Sequence, residues 1–397
     1  MRPLSLSAFT ATSSLGRGLE ATLAALEGGR TGLKPCAFET VALETYVGEV
    51  PGVDEEPLPA ELRDFECRNN RLALLGLRQD GFDEAVRALA RRLGRQRIGV
   101  WLGTSTSGIL ETELAYRRRD PTTGTLPADF RYYGAHNTFS VAAFVQRALG
   151  LEGPAAVISS ACSSSAKVFA CAQRAIDAGL VDAAVVGGVD SLCLTTLYGF
   201  HSLQLVARTP CRPFDAGRDG LSIGEAAAFA LLERPAGSLP ADAVLLLGTG
   251  ESSDAWHMSA PHPEGRGAGD AMRQALAAAR VAPQDIDYLN FHGTGTPSND
   301  AAEARAVAMV LGGATPGSST KGATGHTLGA AGALEAVVCA LALRHGLMPG
   351  GVNTRVIDPQ LPVSYLRESR RAPLEKVMSN SFGFGGSNCT LVFGSAG

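Results

Sequence analysis

Short apolar runs alternate with helical patterns of small residues through most of the chain. "RIGVWLGTS" (97–105) is a buried-strand pattern entering a polar loop. "GPAAVISSAC" (153–162) is a second strand running into a turn, and "SSSAKVFACAQRAIDAG" (163–179) continues it as a helix stopped at Gly179. "DAAVVGGVDS" (182–191) is the next strand. Strand, helix and strand in that order predict a parallel unit. "EAAAFALLER", "AVLLLGTGES" and "IDYLNFHGTG" are further strand patterns, and "GDAMRQALAAARV" and "AGALEAVVCALALRHG" are helical. The alternation predicts α/β layers.

A Pro/Gly break, "RPAGSLP" (234–240), precedes a second series of strands. It suggests two halves, 1–236 and 237–397, although no repeat is visible between them. Residues 106–135 read as a polar, irregular excursion. Near the C-terminus, "SNSFGFGGSN" (379–388) holds three glycines and two phenylalanines within ten residues. Taken alone it is a turn before a last strand, "CTLVFG", with glycines permitting positive φ.

Composition changes the picture little. With 45% hydrophobic and 19% charged residues in 397, the chain is globular with ample core. The net charge of −4 predicts neither nucleic-acid binding nor membrane attachment. Lysine occurs only at Lys34, Lys167, Lys321 and Lys376. The eight cysteines form no C-x-x-C pair, which fits a reducing compartment. The start of the chain has no apolar core of signal-peptide length. No run approaches the ~18 apolar residues of a membrane span. The expectation is a soluble, cytoplasmic protein.

Candidate chemistry lies in three loops. Cys162 sits at a strand-to-helix junction, where unpaired N–H groups and the helix dipole lower a thiol pKa. The alternative is a small buried cysteine in a core turn. His292 lies past a strand in "NFHGTGTPSND", and His326 precedes a small-residue helix, five residues after Lys321. A cysteine with two imidazoles supports thioester chemistry. The close ligand spacing of a zinc site is missing, so no metal is expected, and the glycine loops match no Walker or Rossmann spacing.

"SACSSSAKV", "HGTGTPSND", "TKGATGHTLGAAGALEA" and "NSFGFGGSN", in this order, resemble the β-ketoacyl-acyl-carrier-protein synthases of fatty-acid and polyketide synthesis. The resemblance extends from about residue 95 to the end; the first 90 residues fit loosely. It implies a thiolase fold, two similar α/β halves in five αβαβα layers, usually dimeric. The first half would carry the nucleophile, the second the histidines and a gating loop.

The implied reaction is decarboxylating condensation of an acyl-enzyme thioester with a malonyl-carrier protein. Cys162 resembles the acyl-accepting nucleophile. His292 and His326 resemble the pair that promotes malonyl decarboxylation. Lys321, with Glu335, Asp300 and Glu303, resembles the polar network around them. Thr294 and Thr296 match the threonines that contact the phosphopantetheine arm. The N–H groups of Cys162 and Phe384 match the oxyanion hole. Phe384 also resembles the gatekeeper of the acyl pocket, with Gly385 and Gly386 letting its loop swing. Substrates would ride on phosphopantetheine, with no other cofactor.

The implied partners are acyl carrier protein and a second synthase-like subunit, identical or related. Arg68, Arg71, Arg208 and Arg212 fall near positions where the family carries its docking patch. Asn299 stands where the family usually has Gly, and Lys167 where housekeeping fatty-acid enzymes often have His. "SACSSS" is closer to polyketide-type loops, which points to an aryl-polyene or polyketide pathway. Two alternatives stay open. A non-decarboxylating thiolase would use a second cysteine, for which Cys389 is the nearest position, although it starts a strand pattern. A chain-length-factor-like subunit would be silent, and Cys162 argues that this chain is instead the active member of such a pair.

Overall fold

The computed structural model describes residues 1–55 and 57–396. Among these residues the main sheet has 12 strands. Those on its hydrogen-bonded path are β1 (Leu4–Ser13), β2 (Ile98–Gly103), β3 (Ala155–Ile158), β4 (Ala183–Asp190), β5 (Ala226–Glu233), β6 (Val244–Ser253), β7 (Tyr288–Asn290), β8 (Pro316–Ser318), β9 (Ser364–Tyr365), β10 (Lys376–Gly383) and β11 (Ser387–Ser395). A short strand, Gly16–Arg17, pairs off β1. Eight helices position the layers: α1 (Arg68–Leu77), α2 (Phe82–Leu93), α3 (Ser140–Leu149), α4 (Ser164–Asp177), α5 (Leu194–Ser202), α6 (Arg266–Ala279), α7 (Pro297–Leu311) and α8 (Ala331–His345).

The spatial order is β9-β8-β7-β10-β11-β6-β1-β5-β4-β2-β3. It contains a repeat that the residues do not display. Along β3-β2-β4-β5-β1 the pairings are parallel, parallel, antiparallel and antiparallel. Along β8-β7-β10-β11-β6 the same sequence of directions recurs. The two halves meet where β1 pairs with β6, at Leu4–Leu246 and Ser5–Leu245. The segment 234–240 connects β5 to β6.

The layers follow from which faces are apolar. Helices α4 and α8 pack on each other and on strands of both halves, in one core with Phe9, Leu232 and Phe393. Helices α1, α2 and α3 cover the outer face of the first half, where Phe82, Phe144 and Phe229 pack. Helices α6 and α7 cover the second half over Met272, Leu289 and Val392. This is helix, sheet, helix, sheet, helix, the five-layer thiolase arrangement.

Helix α8 is buried from Ala331 to Leu343, so it has no polar face. That corrects one expectation. The stretch Leu328–His345 reaches a mean hydropathy of 1.4, enough to cross a membrane by composition, but 83% of it is buried inside the protein. A helix with a sheet on each side needs apolar residues all round. Two further expectations change. "IDYLNFHGTG" forms only the three-residue β7, because Gly293 and Gly295 take positive φ and turn the chain out of the sheet. The excursion at 106–135 contains a helix, Ile109–Arg117, before its irregular part.

Candidate active site

The loops after β3, β7 and β8 leave the carboxyl ends of corresponding strands in the two halves, where α/β sheets place ligand-handling groups. Cys162 follows β3. Ala161 before it has φ of 53°, a strained left-handed turn for a residue with a side chain. Serines brace that turn: Ser164 Oγ donates to Ala161 O (2.5 Å), Ser163 Oγ donates to Ser160 O (3.0 Å), and Ser160 N donates to Ser164 Oγ (2.9 Å). The turn aims Cys162 ahead of the N-terminus of α4.

His326 Nε2 lies 3.0 Å from Cys162 Sγ. The His292 ring stands edge-on to His326, centroids 5.4 Å apart. Lys321, 1% exposed, donates from Nζ to His292 O (2.5 Å), lies 3.4 Å from His292 Nδ1, and pairs with Glu335. Burial holds both imidazoles well below their ordinary range, and the Lys321 charge pushes the same way. Both histidines are therefore neutral at pH 7. Burial pushes the Glu335 carboxyl up to about 7, against the pull of Lys321.

The Cys162, His292 and His326 ligand atoms lie within 4.8 Å of one another, a spacing that would also suit a cation. The Lys321 ammonium beside His292 opposes a second positive charge there. The cluster is built for hydrogen bonding.

The thiol itself overturns an expectation. Burial pushes Cys162 up to about 11, while Lys321 and the Phe384 backbone N–H pull it down without cancelling. The reason is depth: Cys162 is 5% exposed, and the desolvation cost of a thiolate there exceeds the benefit of the helix end. The resting site holds a thiol. Alkylation of Cys162 by iodoacetamide should accelerate with rising pH and level off near 11. Lys321→Met should push that plateau still higher by removing the nearest positive charge. A profile levelling near 7 would mean a resting thiolate.

The remaining candidates shape the loops. Glu303, on α7, accepts from the N–H groups of His292 (2.8 Å) and Gly293 (2.7 Å) and from Asn380 Nδ2 (3.2 Å). Burial pushes its carboxyl up to about 7, against those donors. Asp300 accepts from the N–H groups of Phe214 (2.8 Å), Thr294 (3.1 Å) and Gly295 (3.2 Å). The Thr294 and Thr296 hydroxyls are 2.9 Å apart on the cleft wall. Asn380 and Arg218, whose Nε lies 3.6 Å from Asp300, were not anticipated as parts of the network. Their signal was present in "CRPFDAGRDG" and "SNSF", but only the folded chain shows what they touch.

The hairpin between β10 and β11 closes the cleft. The Phe384 ring packs on Phe200 of α5 at 5.4 Å. Gly385 and Gly386 have φ of 79° and 76°, and a Cβ on Gly386 would meet Asp254 at 2.6 Å. Gly385 N donates to Met258 O (2.8 Å), and Gly386 O accepts from Asp254 N (2.9 Å). About 40 Å³ is left free beside Cys162, room for a few waters and not for an acyl chain.

Arg68 is a correction: at 3% exposed it cannot face a partner, because its guanidinium is engaged by Glu225 and Asp54. Arg71 is three-quarters buried and pairs with Glu66 (2.5 Å). Arg208 is exposed, and Arg212 is partly exposed, 3.6 Å from Asp219. Lys167 pairs with Glu251 (3.3 Å). Asn299 lines the cleft and donates to Asp300 (3.2 Å). Cys389 is fully buried in β11 within the central core, with its thiol pushed far up by burial.

The profile of the β-ketoacyl synthase N-terminal domain matches residues 77–236, and that of the C-terminal domain matches 243–355. Nodulation protein E of Rhizobium meliloti is 37% identical over 75% of this chain and 75% of its own length. A mitochondrial 3-oxoacyl-[acyl-carrier-protein] synthase of Arabidopsis thaliana is 32% identical over 96% of this chain and 90% of its own. Among solved structures, the ketosynthase ApeO of Xenorhabdus doucetiae, in complex with its chain length factor ApeC, superposes with a TM-score of 0.89. It is 40% identical and covers 100% of this chain and 98% of that one.

Proposed function

The chain belongs to the β-ketoacyl synthase family and is a condensing enzyme of the acyltransferase class, and from that premise we propose the part each of its residues plays. The observation that carries the proposal is one constellation. A buried thiol lies 3.0 Å from a neutral imidazole, with a second neutral imidazole edge-on to it and a Lys–Glu pair behind.

In the first half-reaction, Cys162 attacks the carbonyl carbon of an acyl thioester on a carrier protein. Because the thiol rests protonated, its proton passes to His326 Nε2 as the C–S bond forms, and then to the departing phosphopantetheine thiol. The backbone N–H groups of Cys162 and Phe384 receive the oxyanion. In the second, a malonyl thioester loses CO2. The electron pair of the broken C–C bond becomes an enolate whose oxygen accepts N–H bonds from His292 and His326. Each such donor is typically worth ~3–4 kcal/mol. The enolate carbon then attacks the Cys162 thioester and expels Cys162 as a thiolate, leaving the β-ketoacyl product on the carrier. The thiolate takes up a proton from solvent by way of His326 Nε2, which restores the resting thiol. Neutral imidazoles suit both tasks, since His326 accepts the thiol proton at Nε2 in its Nδ1–H tautomer and donates to the enolate oxygen in its Nε2–H tautomer. The electrons balance within the substrates, so no cofactor is called for beyond the phosphopantetheine arm that carries them. Asp300 and Glu303 hold the 292–296 loop, and Thr294 and Thr296 face the arm.

As partners we propose an acyl carrier protein and a second synthase-like subunit, this chain being the member with the nucleophile. The Xenorhabdus ketosynthase and the ishigamide ketosynthase were each solved with a chain length factor, which supports a heterodimer. Eight free cysteines suit the cytoplasm. The function is tested by supplying a panel of acyl primers and malonyl-carrier protein. Mass spectrometry should find acyl mass on the Cys162 peptide and β-ketoacyl products. No acyl mass with any primer would refute it.

Phe384→Ala should open the pocket while keeping the backbone donor. Primer acylation stays at least as fast, the range of primers broadens, and futile decarboxylation rises. Gly386→Val has the opposite physical cause, since a β-branched residue resists positive φ and meets Asp254. It should slow acylation in single-turnover loading. Wild-type primer selectivity and coupling in Phe384→Ala would end the gate reading.

Arg208 is the exposed docking candidate, with Arg212 beside it. Charge reversal at Arg208 should weaken carrier-protein substrates and leave small thioester mimics untouched, because docking to an acidic carrier is electrostatic. Equal losses on both substrate types would show that Arg208 acts elsewhere.

A further inference from the structure

Arg68 lies on α1, outside the catalytic cluster, yet it is one of the most buried charged side chains. Its fork grips Glu225: Nη2 to Oε1 at 2.7 Å and Nε to Oε2 at 3.2 Å. Glu225 is 0% exposed and its two oxygens are used again, Oε1 by the Val50 N–H (2.8 Å) and Oε2 by the Leu192 N–H (2.9 Å). A carboxylate in the interior needs such partners, and Arg68 supplies the only cation among the contacts described for it.

The residues just before Glu225 hold His326. Ser222 O accepts from the His326 N–H at 2.7 Å, and the Gly224 N–H donates to His326 O at 2.9 Å. The two segments touch so closely that a Cβ on Gly224 would lie 2.2 Å from Thr324 O. Beyond the Nε2 contact with Cys162, the His326 ring has no hydrogen bond to hold it: its Nδ1 is buried without a partner. Its backbone is therefore what sets the position of Nε2 against Cys162. His292 is held differently, by Glu303 and Lys321.

We propose that Arg68 is a positioning residue for His326, acting through Glu225 and the 222–224 segment that clasps the His326 backbone. The ion pair fixes Glu225, Glu225 fixes the 222–224 segment, and that segment fixes the imidazole. The inference rests on the role given above to His326, and it adds a second tier of residues to that site.

The test compares Arg68→Met and Arg68→Lys in the full chain, below their melting temperatures. Two readouts are taken. The first is malonyl decarboxylation and acylation of Cys162. The second is the imidazole signals of His292 and His326 in protein labelled with 15N-histidine. Arg68→Met should lower kcat for decarboxylation by on the order of tenfold to a hundredfold, as expected for a displaced catalytic group. KM should change little. The His326 signals should move while those of His292 stay. Arg68→Lys, which keeps the charge and loses the fork, should recover part of the rate. Should Arg68→Met fail to fold, Arg68→Lys and Glu225→Gln carry the same readouts with smaller shifts. Unmoved His326 signals, or equal movement of both histidines, would overturn the proposal as a purely global stabilising role. Because the spectra need no substrate, they decide the positioning question even if the wild type fails to decarboxylate malonyl thioesters, an outcome that would sink the functional reading instead.

Discussion

Cys162→Ala should abolish chain extension while the protein still releases CO2 from malonyl-carrier protein. No sulfur is left to hold the growing acyl group, so the loss of condensation is complete. Decarboxylation needs only the enolate donors, His292 and His326, and the alanine leaves both in place. The truncation also removes the sulfur that His326 faces at 3.0 Å, freeing that imidazole for the malonyl oxygen. The check is a paired assay of CO2 and β-ketoacyl product on the same sample. Condensation by the alanine protein would end the assignment of Cys162, and loss of CO2 release would mean that decarboxylation requires the acyl-enzyme.

His292→Ala and His326→Ala should separate the two half-reactions. Each removes one donor to the enolate oxygen, which typically costs 10²–10³-fold in the decarboxylation rate. Their effects on acylation differ. The thiol is held protonated, near 11, so loading Cys162 needs a proton acceptor at the sulfur. His326 is that acceptor by distance, and His292 is not. His326→Ala should therefore slow both steps. His292→Ala should slow decarboxylation and leave acylation close to wild type. Single-turnover loading from an acyl-carrier protein, set against CO2 release, reads the two separately. Equal acylation in both variants would remove His326 from the proton path. Normal decarboxylation in both would refute the paired-donor reading.

The chemistry was legible from the sequence because it depends on residue type and local order. A cysteine at a strand-to-helix turn, histidines in glycine–threonine loops and a glycine hairpin before the last strand are short-range patterns, and they survive as such in the fold. Strand β1 and the repeat were not legible. The two halves share strand directions and order, which many residue choices satisfy, so their likeness appears only when the pairings are seen. Burial was not legible either, and it decided three things. It raised the Cys162 thiol where the helix end alone argued for lowering it. It turned Arg68 from a surface cation into the partner of Glu225. It explained the apolar stretch Leu328–His345 as a helix between two sheets. The sequence by itself determined which groups are present and in which loops. The tertiary structure alone decided their protonation and their partners, because both depend on how much water and which charges the rest of the chain leaves beside them.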